Sequence, residues 1–226
     1  KKNFNEIFSQ LDRSKSRFQV FSDFITCSAI AYQNHAAPGR ASYSEKLESE
    51  YMALVGKYPK ADVLQFPVLL NIIVELLEAY GSPHDVIGDM YMSFDFGSKY
   101  NAQHFTPIEI SNLMAEIADS SVTEMIQKNG FITVSDPACG AGSTLLAKVN
   151  KVIDKGFNPA KTLYIEGVDI DRLCALMCFI QMTLWNVPAR IFVGDTLQNT
   201  KREVWITTAY MRGNWASRLN HYRVTD

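Results

Sequence analysis

Three short segments carry residue types that can hold a nucleoside. The first, Ser135-Asp136-Pro137-Ala138-Cys139-Gly140-Ala141-Gly142-Ser143, is rich in small residues. Small residues let a backbone pass close to a ligand, and the first N–H groups of a following helix have no intrahelical partners. The second is Gly167-Val168-Asp169-Ile170-Asp171, where Asp169 can accept hydrogen bonds from ribose hydroxyls. The third is Gly194-Asp195-Thr196, where Asp195 can accept a hydrogen bond from an adenine amino group. Taken singly, each carboxylate also reads as a helix N-cap or a solvated loop residue. Their value lies in falling at three consecutive predicted strand ends.

The elements that must position them follow from the hydrophobic pattern. After Gly130 the chain alternates between strand-like and helix-like runs. Phe131 to Ser135, Thr162 to Val168 and Ala189 to Val193 read as strands, and Glu203 to Thr207 as a fourth. Gly142 to Asp154 and Asp171 to Trp185 read as helices. Strands alternating with helices predict a parallel sheet, whose ligands bind at the carboxyl ends of the strands. The first hundred residues read as helical. Phe21, Phe24, Ile25 and Ala29 recur at helical spacing, and Pro38-Gly39 marks a turn. Leu47, Tyr51 and Leu54 define a second helix. Ala61 to Tyr80 is a third, stopped by Gly81-Ser82-Pro83, and Val86 to Tyr91 is a short fourth.

Composition sets the outer bounds. With 226 residues, 47% hydrophobic and 20% charged, and a net charge of −2, the chain has ordinary globular usage. That balance argues against strong non-specific nucleic-acid binding while leaving room for a local basic surface. Cys27, Cys139, Cys174 and Cys178 form no CxxC pair, which points to core packing in a reducing, cytoplasmic setting rather than to disulfides or metal. No apolar run reaches the ~18 residues of a membrane span. The longest, Leu173 to Trp185, reads as a buried helix. The N-terminus shows no signal-peptide pattern.

The first segment, Asp136-Pro137-Ala138-Cys139-Gly140-Ala141-Gly142, resembles the S-adenosylmethionine (AdoMet) motif of adenine-specific DNA methyltransferases. It is most similar to that of the modification subunits of type I restriction systems. About thirty residues upstream, Gln103-His104-Phe105-Thr106-Pro107 resembles the family's QFFTP element, with His104 in place of the usual Phe. Thr106 and Pro107 also suit the N-cap and first position of a helix holding Leu113, Met114 and Ile117. The resemblance covers roughly residues 85 to 200. It implies an N-terminal helical domain over residues 1–100 and an AdoMet-binding domain over residues 101–226, the latter a shortened Rossmann-like methyltransferase sheet. By the same resemblance, Phe105, Thr106, Asp136, Ala138, Gly140 and Gly142 line the AdoMet site, Asp169 binds the ribose and Asp195 the adenine. DNA would be the substrate, with a specificity or restriction-modification subunit as partner and no metal.

The family's catalytic Asn-Pro-Pro-Tyr/Phe segment, which follows the fourth strand and holds a flipped-out adenine, occurs nowhere in this sequence. At the corresponding distance after Asp195 stands Thr207-Thr208-Ala209-Tyr210. There Tyr210 is the candidate stacking ring and Thr207 the candidate hydrogen-bond acceptor, in a degenerate version of the site. Three readings remain open: an N6-adenine DNA methyltransferase, a catalytically degenerate AdoMet-binding module of restriction-modification or anti-restriction, and a methyltransferase for another substrate. A nicotinamide-binding fold is disfavoured because Leu145 stands where a third glycine of GxGxxG would.

Overall fold

The computed structural model describes residues 3–35, 43–94, 96 and 121–224. Pro38-Gly39, the Gln103–Pro107 segment and the predicted helix of Leu113, Met114 and Ile117 lie outside these residues.

The helical layer comprises α1 (Phe4–Phe8), α2 (Arg17–His35), α3 (Glu45–Val55), α4 (Lys60–Val63), α5 (Gln65–Tyr80) and α6 (Val86–Ser93). Their ends are set by local chemistry. Asn3 and Glu6 form a reciprocal capping box on α1, and Ser44 caps α3. Gly81 ends α5 at φ 67°, a left-handed conformation that favours glycine. Asp85 caps α6 by accepting from the Gly88 N–H at 2.8 Å. Phe21, Phe24, Ile25 and Ala29 are all buried, as their spacing predicts.

The second part runs α7 (Val122–Asn129), β1 (Ile132–Asp136), α8 (Ser143–Asp154), α9 (Pro159–Thr162), β2 (Leu163–Asp169), α10 (Arg172–Leu184), β3 (Ala189–Asp195), β4 (Thr200–Ile206), α11 (Thr208–Arg212) and α12 (Trp215–Val224). The sheet order is β1-β2-β3-β4, with β1–β3 parallel as predicted. The departure is β4, which pairs antiparallel to β3. The cause is connection length. A parallel neighbour needs a crossover of about a dozen residues, whereas residues 196–199 form a tight turn with Asn199 at φ 51°.

One face of the sheet (Ile132, Leu163, Ile165, Ala189, Ile191, Val193 and Trp205) packs beneath α10, which in turn packs against α2. These residues share a continuous core with Phe4, Phe8 and the rest of the helical layer. The other face holds a small aromatic cluster of Phe131, Tyr164, Tyr210 and Trp215. Arg172, at the start of α10, ties the layers together. Its guanidinium meets both Glu50 oxygens of α3 at 2.8 and 3.0 Å, and its Nε reaches Glu203 of β4 at 2.9 Å.

Among the described residues one helical stretch, Lys60–Tyr80, is long and apolar enough to cross a membrane. An apolar run broken by Asn71 and Glu75 hides this in the sequence. Its Phe66, Leu69, Ile73 and Leu77 are packed into the protein core.

Candidate nucleoside site at the strand ends

The β1–α8 turn is shaped by its own polar groups. Asp136 accepts from the Ala138 N–H at 3.0 Å and from the Thr144 hydroxyl at 2.5 Å, closing the turn over the first residues of α8. The Cys139 N–H donates to Val168 O at 2.9 Å and stitches the turn to β2. Gly140 and Gly142 adopt φ of 52° and 103°. A Cβ on Gly142 would stand 3.0 Å from Cys178 Sγ of α10, so the turn sits directly on that helix.

Asp169, at the end of β2, accepts from the Gly140 N–H at 2.8 Å and from the Asp171 N–H at 2.9 Å. Burial raises its carboxyl above the usual range, partly opposed by these two N–H donors. Asp171 is the N-cap of α10, accepting from Leu173 and Cys174. Asp195, at the end of β3, accepts from the N–H groups of Leu197 and Gln198 through Oδ1, at 2.9 and 3.1 Å. The neighbouring Thr196 hydroxyl donates to Pro137 O at 2.6 Å, bridging the first and third segments. Between them lies a cleft of ≈ 220 Å³ lined by Pro137, Ala138, Asp169, Ile170, Gly194, Asp195, Thr196 and Leu197. Ile170 is 62% and Leu197 98% exposed, two apolar side chains projecting at its rim.

The structure therefore brings Asp136, Ala138, Gly140, Gly142, Asp169 and Asp195 to one end of the sheet. Phe105 and Thr106 lie outside the described residues. Thr207 and Tyr210 are not brought there. Because β4 runs antiparallel, Ile206 pairs with Arg190 near the start of β3. The length of β3, about 20 Å at 3.3 Å per residue, separates that end from Asp195. Thr207 is fully buried, and its hydroxyl donates to Val187 O at 2.7 Å and accepts from the Ala189 N–H at 2.8 Å. The Tyr210 ring packs on Tyr164, with centroids 5.8 Å apart. The expectation that these two residues form a catalytic segment beside the cofactor is corrected by this geometry: they cap α11 and fill the aromatic cluster. Tyr210→Ala is accordingly expected to lower folding stability by about 3 kcal/mol in a denaturant titration. Tyr210→Phe is expected to leave ligand affinity at the cleft unchanged in calorimetry.

Two contributors escaped the sequence reading. Thr144, behind Asp136, had a faint signal: a hydroxyl in the first turn of the helix that follows an acidic strand end. Gln181 had a clearer one, a polar residue inside an apolar helix. It is fully buried, and its amide donates to Ala141 O at 2.8 Å and to Asp85 Oδ1 at 2.7 Å, while its Oε1 accepts from the Ile87 N–H at 3.3 Å. It joins the glycine turn to the N-cap of α6.

An α/β sheet with a glycine turn and acidic residues at successive strand ends defines a nucleoside-binding class of protein. The particular family follows from comparison. The N-6 DNA Methylase family model matches residues 82–214, more than half of the chain, and the chain belongs to that family. Its cofactor is AdoMet, as the motif resemblance implied. The chain is 28% identical over 149 residues to the type I restriction enzyme MjaVII methylase subunit of Methanocaldococcus jannaschii, covering 60% of this chain and 24% of that protein. It is 31% identical over 128 residues to the MjaVIII methylase subunit of the same organism, covering 54% and 20%. The chain thus spans about a quarter or less of the length of these curated relatives. Among solved structures, a protein described as a class I S-adenosylmethionine-dependent methyltransferase, from Listeria monocytogenes, aligns over 82% of this chain and 51% of its own. The sequence identity there is 18% and the TM-score 0.37.

Proposed function

We propose that this chain supplies the AdoMet-binding part of an adenine-specific DNA methyltransferase, serving methyl transfer to the exocyclic N6 amine of adenine. The observation that carries the reading is the convergence of Asp169, Asp195 and the Pro137–Ala138 segment around one cleft, with Asp169 tied to the glycine turn through the Gly140 N–H. The residues fit the cofactor. Asp169 can accept from the ribose hydroxyls and Asp195 from the adenine amine. Ile170 and Leu197 offer apolar contact to the two faces of the ring. AdoMet supplies an electrophilic methyl group on a sulfonium sulfur. The protein's contribution is to fix the orientation of that group toward an adenine removed from its base stack.

The position of Thr207 and Tyr210 at the far end of the sheet favours a second reading. In it, the chain binds AdoMet as a module of a restriction-modification or anti-restriction assembly, and the groups that hold the target adenine come from elsewhere. DNA, a specificity subunit and a cytoplasmic location belong to both readings. The four free, buried cysteines support the reducing setting.

Calorimetric titration with AdoMet tests the shared part. Binding by the unaltered protein, weakened at least about 10-fold by Asp195→Ala, is expected. A folded protein that takes up no AdoMet would sink both readings. Incubation with labelled AdoMet and adenine-containing DNA then separates them: label transferred to N6 supports the first, and binding without transfer supports the second.

A further inference from the structure

The hairpin that turns β4 back along β3 carries an irregularity beside the cleft. Val193 and Gly194 of β3 pair with Glu203 and Lys201 of β4, so Arg202 between them has no residue opposite. One extra residue on one strand is a β-bulge, and bulges beside binding sites re-aim a side chain. Gly194 permits the close approach of the two strands here, since a Cβ on it would collide with the Thr200 carbonyl of β4. Lys201 and Glu203, on either side of the bulge, are held by Glu166 of β2 and Arg172 of α10. Arg202 has a different target. Its guanidinium donates to Ile170 O, one residue beyond the end of β2, at 2.7 Å.

That carbonyl belongs to the wall of the cleft, which Asp169 and Ile170 line together. Ile170 stands between the carboxylate proposed for the ribose and Asp171, the N-cap of α10. Its side chain is mostly exposed and gives the segment no anchor in the core. The backbone here is instead fastened by hydrogen bonds: those that Asp169 accepts from the Gly140 and Asp171 N–H groups, and the one that Arg202 gives. A hydrogen bond from a charged donor is stronger than one between neutral groups. At the tip of the same hairpin, the Thr196 hydroxyl donates to Pro137 O. The hairpin thus grips both neighbouring loops of the cleft, the β1–α8 turn through Thr196 and the β2–α10 turn through Arg202.

We propose that Arg202 is a positioning residue of the nucleoside cleft, re-aimed by the bulge to hold the Ile170 carbonyl and so to set Asp169 and Ile170 against the ribose and adenine. The inference rests on the AdoMet reading of the cleft. Arg202 acts through the wall it fastens, and a binding constellation has to be held to within about 0.5 Å.

Calorimetric titration with AdoMet tests it, together with displacement of AdoMet by methylthioadenosine, which carries the nucleoside half without the amino acid. Arg202→Ala is expected to weaken both ligands by the same factor, roughly 10-fold, while the thermal midpoint followed by circular dichroism stays that of the parent. Arg202→Lys keeps a charged donor on a more flexible stem and should recover part of the loss. An Arg202→Ala protein that binds both ligands as the parent does, whatever its stability, overturns the proposal and leaves the AdoMet reading intact. A loss confined to AdoMet also overturns it, because the guanidinium would then serve the amino-acid end of the cofactor. Failure of the unaltered protein to bind AdoMet would sink the AdoMet reading itself, and this proposal with it.

Discussion

Replacing Gln181 with leucine is expected to cost about 4 kcal/mol of folding stability and to abolish measurable AdoMet binding. The two side chains are close in size, so the effect is polar rather than steric. The substitution leaves Ala141 O and the Ile87 N–H without their present side-chain partner, and Asp85 Oδ1 with only the Gly88 N–H. A buried group stripped of its hydrogen bond costs roughly 1–3 kcal/mol, more when it is charged. The loss of affinity has a separate cause. Ala141 lies between the two left-handed glycines, and Gln181 is a tether holding that turn from within the core. Denaturant titration and calorimetry report the two effects independently. Gln181→Glu places an acceptor against Ala141 O and should be nearly as damaging. A Gln181→Leu protein that folds and binds AdoMet with unchanged affinity would show that the tether has no part in shaping the turn.

The same network makes stability depend on pH with a definite sign. Burial holds the Asp85 carboxyl above the usual carboxylate range, with the Gln181 and Gly88 hydrogen bonds acting in the opposite direction. The folded protein therefore keeps this proton at a pH where the unfolded chain has released it. The stability this group contributes is fully present below the unfolded carboxylate value and is lost as pH rises through the raised folded value. Asp85→Asn retains an oxygen for Gly88 and Gln181 and removes the titration. Its stability is expected to vary less than the parent's across that window when denaturation midpoints are measured over a pH series.

The parts of the fold legible in the sequence were those governed by local rules. The buried positions of α2 follow from 3.6-residue periodicity, and β1–β3 from apolar runs bounded by glycine and acidic residues. The acidic end of the sheet was legible for the same reason, since Asp136, Asp169 and Asp195 each close a strand that enters the sheet from a preceding helix. The direction of β4 was not legible from its own residues. Thr200–Ile206 reads as a strand in either orientation, and only the short link at 196–199 excludes a crossover. Reading that link as a hairpin would have moved Thr207 and Tyr210 to the far end of the sheet at once. Gln181 and Asp85, 96 positions apart, were beyond local reasoning because nothing in the sequence states which distant polar groups will meet in a core.

The two acidic strand ends of the cleft should respond differently to the same chemical change. Both oxygens of Asp169 accept from backbone N–H groups, Oδ2 from Gly140 and Oδ1 from Asp171. An asparagine there must turn its NH2 toward one of those donors, so Asp169→Asn disrupts either the glycine turn or the entry to α10. It should weaken AdoMet binding nearly as much as Asp169→Ala, by roughly 100-fold, which at 1.4 kcal/mol per tenfold is about 3 kcal/mol. Asp195 differs because its two backbone contacts both fall on Oδ1. Asp195→Asn can keep that oxygen in place, so the β3–β4 turn survives and only the contact proposed with the adenine amine is altered, an expected loss of about 10-fold. Acidity adds a second discriminator. Burial, reinforced by the charges of Asp171 and Asp136 and opposed by the two N–H donors, raises the Asp169 carboxyl. Protonation there removes the acceptor proposed for the ribose, so AdoMet affinity should begin to fall at a higher pH than an ordinary carboxylate would dictate. Calorimetry of the four variants at neutral and mildly acidic pH reads all of this together. Asp169→Asn binding as tightly as the parent would remove Asp169 from the ribose and leave it as a brace for the turn.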